Sequence, residues 1–224
     1  NRPHRRNAVD RATGDELYDI FKSFDGDDSV SVAILTGATK DGKGAFCAGF
    51  DLKSLAESGT SARVEEGGEN DLGPMGPTRM VLSKPVIAAI EGHAVAGGME
   101  LALWCDLRVM ADDAIFGIYC RRFGVPLVDG GTFRLARLIG QSRAMDLVLT
   151  GRAVHAEEAL AIGLVNRVAP AGTTLDVARA LALQIAGFPQ ECMRSDRATV
   201  YAQHGQSIDM ALADEFTRGL AVMG

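Results

Sequence analysis

The feature that most constrains this chain is the apolar run Val86-Ile87-Ala88-Ala89-Ile90, followed closely by Gly97-Gly98-Met99-Glu100. Consecutive apolar residues without alternation describe a strand buried on both faces, as parallel sheets require. The two glycines then stand at the mouth of a helix over residues 98–104. A helix leaves its first N–H groups unpartnered and partly positive, and glycine lets a carbonyl oxygen approach those bare amides. Glu100 follows Gly97 by three residues, so its side chain lies over the same pocket. Burial there raises a carboxylate's pKa and suits it to proton transfer. A glutamate in a first turn also favours the helix dipole with no chemistry attached. A second small-residue turn, Ala48-Gly49-Phe50-Asp51, follows the strand-like Val32-Ala33-Ile34-Leu35 and offers a second set of amides.

Apolar runs at 30–35, 86–90 and 107–110 alternate with helical periodicity at 8–24, 98–104, 132–139, 143–149 and 156–162. This is the pattern of repeated strand–helix units with buried parallel strands. After Val165-Asn166-Arg167-Val168 the pattern is wholly helical, through 175–186, 190–202 and 208–220. The expected organisation is an α/β core over residues 1–168 and a helical region over 169–224. Residues 54–78 show no hydrophobic period, which leaves a long loop that either serves the site or lies loosely on the surface.

The chain has 224 residues, 47% of them hydrophobic, enough for one sizeable core. Net charge is −6 with Lys and Arg scattered, which argues against a basic nucleic-acid face. No apolar stretch approaches the roughly 20 residues of a membrane span. Cys47, Cys105, Cys120 and Cys192 show no Cys-x-x-Cys spacing, so they read as free thiols in a reducing cytoplasm.

The segments Phe46-Cys47-Ala48-Gly49-Phe50-Asp51-Leu52 and Gly92-His93-Ala94-Val95-Ala96-Gly97-Gly98-Met99-Glu100-Leu101-Ala102 closely resemble the enoyl-CoA hydratase/isomerase (crotonase) superfamily. Collinear matches continue in Asn1-Arg2-Pro3, Cys105-Asp106-Leu107-Arg108, Gly130-Gly131-Thr132, Leu149-Thr150-Gly151-Arg152 and Gly163-Leu164-Val165-Asn166. The resemblance implies a crotonase-like α/β spiral of strand–strand–helix units with a C-terminal helical trimerisation region, assembled as a homotrimer or a dimer of trimers. Apolar positions Leu181, Ile185, Met193, Ile208, Met210 and Leu212 fit such a contact. Family members usually begin before the segment matching Asn1 and continue past Gly224, so both termini are expected to be limits of an ordered region.

The resemblance also implies an acyl-CoA thioester substrate, with coenzyme A part of that substrate and neither metal nor separate cofactor. The backbone amides of Phe50 and Gly97 would hold the thioester oxygen, and Glu100 matches the glutamate with which hydratases handle water. Ala48, Asp51 and Leu52 match the adenine-contacting strand end. Arg5 and Lys53 are the nearest cations for phosphate oxygens, though each reads equally as a solvated charge.

Cys120 is the departure, because it stands where hydratases carry a second catalytic glutamate. A thiol is a poor proton donor, and packing is the simpler role for it. Asp129, just before a helix start, either replaces the lost acid or caps the helix at 132–139. Arg121 and Arg122 either restrain Asp129 or pair at a subunit interface. His93 reads as packing, and His4, His155 and His204 show no partner pattern. The leading expectation is an enoyl-CoA hydratase. A one-carboxylate enoyl-CoA isomerase, an acyl-CoA hydrolase and a noncatalytic acyl-CoA binder remain as alternatives.

Overall fold

A computed structural model of the chain describes residues 1–40, 43–58 and 66–223. Residues 59–65, within the expected loop 54–78, lie outside the described residues. In chain order the helices and strands are α1 (Arg11–Gly26), β1 (Ala33–Thr36), β2 (Thr39–Lys40), β3 (Lys43–Cys47), α2 (Leu52–Ser58), β4 (Val86–Ile90), β5 (His93–Val95), α3 (Gly97–Trp104), β6 (Leu107–Ala111), β7 (Ile115–Gly117), α4 (Gly131–Ile139), α5 (Gln141–Thr150), β8 (Ala153–His155), α6 (Ala156–Ala161), β9 (Arg167–Ala169), α7 (Thr174–Ala186), α8 (Gln190–Ala202) and α9 (Ile208–Ala221).

Two sheets result. The first runs β1-β4-β6-β9 with every neighbouring pair parallel, and the second runs β2-β3-β5-β7-β8 with a parallel centre and antiparallel outer pairs. Three times the chain lays a strand in the first sheet, then one in the second, then a helix: β1, β3, α2; β4, β5, α3; β6, β7, α4. This repetition is the expected strand–strand–helix spiral.

Strand β4 shows why its sequence is continuously apolar. Val86, Ala88 and Ile90 face the main core with Met110, Phe116 and Leu135, whereas Ile87 and Ala89 face Ala178 and Leu181 of α7. Burying both faces stabilises by about 1.5–3 kcal/mol per large side chain.

Helix α1 begins at Arg11 rather than near residue 8, because Asp10 Oδ1 accepts the Thr13 amide at 2.9 Å and stops the helix there. At its other end the buried Lys84 donates its ammonium to the carbonyls of Phe24 (2.9 Å) and Asp27 (2.6 Å). The expected loop 54–78 is partly ordered: α2 occupies its start, residues 73–78 are buried, and Pro77–Arg79 form a 3-10 turn. His93, expected to pack, points from β5 to solvent.

The helical region divides by surroundings. Leu181 is buried and Ile185 packs against the same cluster, so α7 covers the first sheet instead of awaiting a partner. Helices α8 and α9 bury no residue. Helix α8 is tethered through Arg197, whose Nε lies 2.7 Å from Asp106 Oδ1, and through Tyr201, whose hydroxyl donates to the same carboxylate at 2.8 Å. Ile208, Met210, Leu212 and Phe216 of α9 are exposed. Among the described residues no helix is long and apolar enough to cross a membrane.

Candidate active site

The turn at 48–51 and the start of α3 meet through glycine. Gly49 adopts φ +94°, and a Cβ placed on it would stand 2.9 Å from Ala96 Cβ and 3.0 Å from the Gly97 nitrogen. No L side chain fits there, so the two backbone segments touch directly. Ala96, just before the helix, is itself strained at φ +53°. Among the described residues neither the Phe50 nor the Gly97 amide donates to a protein acceptor. Phe50 and Gly97 are both half-exposed.

Glu100, one turn into α3, is only 3% exposed. Its Oε1 accepts two backbone amides, from Asp129 at 2.9 Å and Gly131 at 2.9 Å. Gly131 must be glycine for this, because a Cβ there would stand 2.8 Å from Glu100 Cγ. Burial pushes the Glu100 carboxyl up to about 7, the charge of Asp129 adds to the rise, and the two amides oppose it.

Asp129 is a second buried carboxylate in the same place. Its Oδ1 accepts the Met75 amide at 3.0 Å and the Thr78 hydroxyl in a short contact. Burial raises its pKa as well, against the Thr78 and Met75 hydrogen bonds and the positive charges of Arg79 and Arg134. Asp129 does not cap α4: the residue before that helix is Gly130, and no side chain caps it. Residues 73–78 thus form a buried strap over the site. The Gly73 and Gly76 backbones exchange hydrogen bonds at 2.8 and 2.9 Å, and a Cβ on Gly97 would meet the Met75 sulfur at 2.7 Å.

Cys120 comes within electrostatic reach of Glu100. Its buried thiol is pushed up by desolvation and then by that carboxylate, so it holds its proton. Arg121 and Arg122 do not reach Asp129: Arg121 donates to the Val148 carbonyl at 3.1 Å, and Arg122 stacks on Tyr119 at 3.8 Å. Of the residues expected to face coenzyme A, Asp51 has its side chain committed to the fold. It pairs with Arg2 at 2.9 Å and accepts the Lys53 and Ser54 amides, which starts α2. Arg5 lies near enough to lower the Asp51 pKa, while Leu52 and Lys53 are exposed and Ala48 is half-buried. The cavity lined by Arg2, Thr13, Leu35, Thr36, Phe46 and Cys47 opens beside the start of the chain and reaches neither carboxylate. Among the described residues no group of His, Cys, Asp and Glu is arranged to hold a metal.

Sequence reasoning missed Met75, Thr78 and Arg134. The spacing Asp129-Gly130-Gly131-x-x-Arg134 was the available signal, a carboxylate and a guanidinium bracketing the first turn of a helix.

Comparison with known proteins identifies the family and the fold. The family described as Enoyl-CoA hydratase/isomerase matches residues 1–215. The chain belongs to that family. It is similar to carnitinyl-CoA dehydratase of Proteus mirabilis (strain HI4320), with 40% identity over 186 residues, spanning 81% of this chain and 67% of that one. Among solved structures, an enoyl-CoA hydratase, EchA1, from Mycobacterium marinum superposes with a TM-score of 0.89 and 39% identity, covering 100% of this chain and 84% of that one. An enoyl-CoA hydratase from Mycobacterium tuberculosis H37Rv gives 0.87 and 41%, over 97% and 82%. The two-sheet spiral described above is therefore the crotonase fold, and the chain is a member of an enzyme family of hydratases and isomerases.

Proposed function

We propose that this chain catalyses the reversible addition of water to a 2-enoyl-CoA thioester. The observation that carries the reading is Glu100, a buried carboxyl pushed up to about 7, one turn after the unpartnered amide of Gly97. Glu100 takes a proton from water as the water oxygen bonds to the β carbon. The π electrons move onto the thioester, whose oxygen is held by the Phe50 and Gly97 N–H groups. Such donors typically contribute about 3–4 kcal/mol each to the transition state. A carboxylic acid then delivers a proton to the α carbon, and the enolate electrons form that C–H bond. Glu100 and Asp129 are both buried with pKa values raised by burial, which suits the pair to act as base and acid. Proton transfer between them restores the starting state.

The names of the relatives support water chemistry on an acyl-CoA. Coenzyme A arrives with the substrate, its adenine meeting the backbone of Ala48, Asp51 and Leu52 and its phosphates meeting Arg5 and Lys53. The buried thiols Cys47, Cys105 and Cys120 fit a reducing cytoplasm.

One observation favours a second reading, enoyl-CoA isomerisation. Asp129 Oδ1 already accepts two donors and Cys120 holds its proton, which leaves Glu100 to carry a proton from one carbon to another alone. Incubation with crotonyl-CoA and with a 3-enoyl-CoA, followed by mass and chromatographic analysis, separates the two. A gain of one water supports hydration, and a shifted double bond without mass change supports isomerisation. Binding without either change would identify a noncatalytic acyl-CoA binder.

We also propose a trimer or a dimer of trimers, with the exposed apolar side chains of α9 at the contact. Light scattering at micromolar concentration should give three or six chain masses. A monomer would overturn the assembly.

A further inference from the structure

We infer that Arg134 is a positioning residue, which locks the strap at 73–78 and the turn at 129–131 into one rigid piece over Glu100. Its guanidinium donates to two backbone carbonyls, that of Asp129 at 2.8 Å and that of Thr78 at 2.7 Å. Thr78 closes the ring from the other side through its hydroxyl on Asp129 Oδ1. The strap and the turn are thus tied to each other by three hydrogen bonds within a few ångströms, and Met75 adds a fourth.

Each neighbour of the arginine suits this task. Gly130, at φ +85°, has no Cβ, and a Cβ there would stand 2.3 Å from Arg134 Nη1, so only glycine lets the side chain fold back over the start of α4. The ring of Phe133 covers the guanidinium carbon at 4.9 Å. The planar fork reaches two divergent carbonyls at once, which a single ammonium does less well. Among the described residues Arg134 makes no ion pair with Glu100 or Asp129, so it orients both carboxyls without neutralising either by direct contact. Its charge still acts on them from a distance and favours their ionised forms.

The consequence runs through the backbone. Asp129 N and Gly131 N are the two donors that aim Glu100, and Met75 packs on Gly97. A loosened clamp would displace Glu100 and the Gly97 surroundings together, and a misplacement near 1 Å costs on the order of 10²-fold in rate.

The kinetic half of this inference rests on the hydratase reading, whereas the mechanical half does not. Two measurements on the full-length chain keep them apart, using Arg134→Lys, with Arg134→Ala as the second variant. Native-state hydrogen exchange should show the Met75 amide at least tenfold less protected in folded Arg134→Lys, with amides of β4 unchanged. Crotonyl-CoA kinetics should show kcat reduced on the order of 10²-fold and KM changed less than threefold in Arg134→Lys, and in Arg134→Ala, which also removes the positive charge, the acidic limb of the pH profile moved to higher pH. Unchanged exchange at Met75 in a folded variant overturns the inference, as does faster exchange with wild-type kcat and pH profile. Wild-type chain inert toward every enoyl-CoA tried, with the Met75 exchange result as expected, would remove the reaction class and leave the clamp standing.

Discussion

The two buried carboxylates of the candidate site, Glu100 and Asp129, are equally hidden, each 3% exposed, yet they are held by different kinds of support. Glu100 sits on α3, straight after β4 and β5, and its carboxylate is held by the backbone amides of Asp129 and Gly131, about thirty residues on. Asp129 sits on an irregular turn and is gripped by Met75 and Thr78, more than fifty residues away. Glu100 Oε1 meets only backbone amides, so its orientation depends on chain path. Asp129 depends on a side-chain hydroxyl and a strap. On the proposed reading Glu100 exchanges a proton with water, and Asp129, which ties the cover to the site and raises its neighbour's pKa, is its proton partner.

Replacing Glu100 tests that difference most severely. Glu100→Gln keeps the shape and should retain acyl-CoA affinity while turnover falls by about 10³-fold, read by steady-state kinetics beside calorimetric binding. Turnover at the wild-type rate would remove Glu100 from the chemistry.

The same variant should be more stable than the wild type in alkaline solution. Glu100 keeps its proton in the folded chain up to about 7, against an ordinary 4.5, so between those values the folded state binds more protons than the unfolded one. The stability contributed by the protonated carboxyl is complete below 4.5 and is lost as pH rises through 7. Glutamine carries no such loss, and urea unfolding at pH 8 should favour Glu100→Gln by up to about 3 kcal/mol, falling to near zero at pH 4. Equal stabilities at pH 8 would mean that Glu100 is not strained by burial.

Asp129→Asn sharpens the contrast from the other side. The amide oxygen still accepts from Met75 and Thr78, so the strap stays while the charge goes. Removing a negative neighbour favours ionised Glu100, and the acidic limb of kcat/KM should move to lower pH as kcat falls by roughly 10–10²-fold. A limb that stays in place, or a drop in melting temperature with unchanged activity of the folded fraction, would make Asp129 structural only.

The smallest effect is expected at Cys120. Its thiol keeps its proton, so Cys120→Ala should alter kcat by less than about threefold, with a modest loss of melting temperature from the lost packing. A large loss of turnover would place the thiol in the reaction and break the assignment of proton transfer to the carboxylates.

From the residues alone one reads β1, β4 and β6 of the first sheet, the helices other than α2, and one half of the site. The run 86–90 carries its own statement of double burial, α3 to α9 announce themselves by period, and Gly97 and Glu100 share a local geometry set by three residues of helix. Strands β3, β5 and β7 escape notice because they are three to five residues long, built partly from Gly, Ala and Cys, and have no period to detect. Pairing alone makes them strands. Likewise Leu181 reads as an exposed apolar position until α7 is laid on the first sheet. The other half of the site was never local. Asp129 looks like a helix cap because spacing speaks only of near neighbours, and nothing in residues 54–78 reveals that Met75 and Thr78 turn inward to grip it. Hydrogen bonds across fifty residues have no periodic signature; they exist only once packing has brought the strap, the turn and Arg134 together.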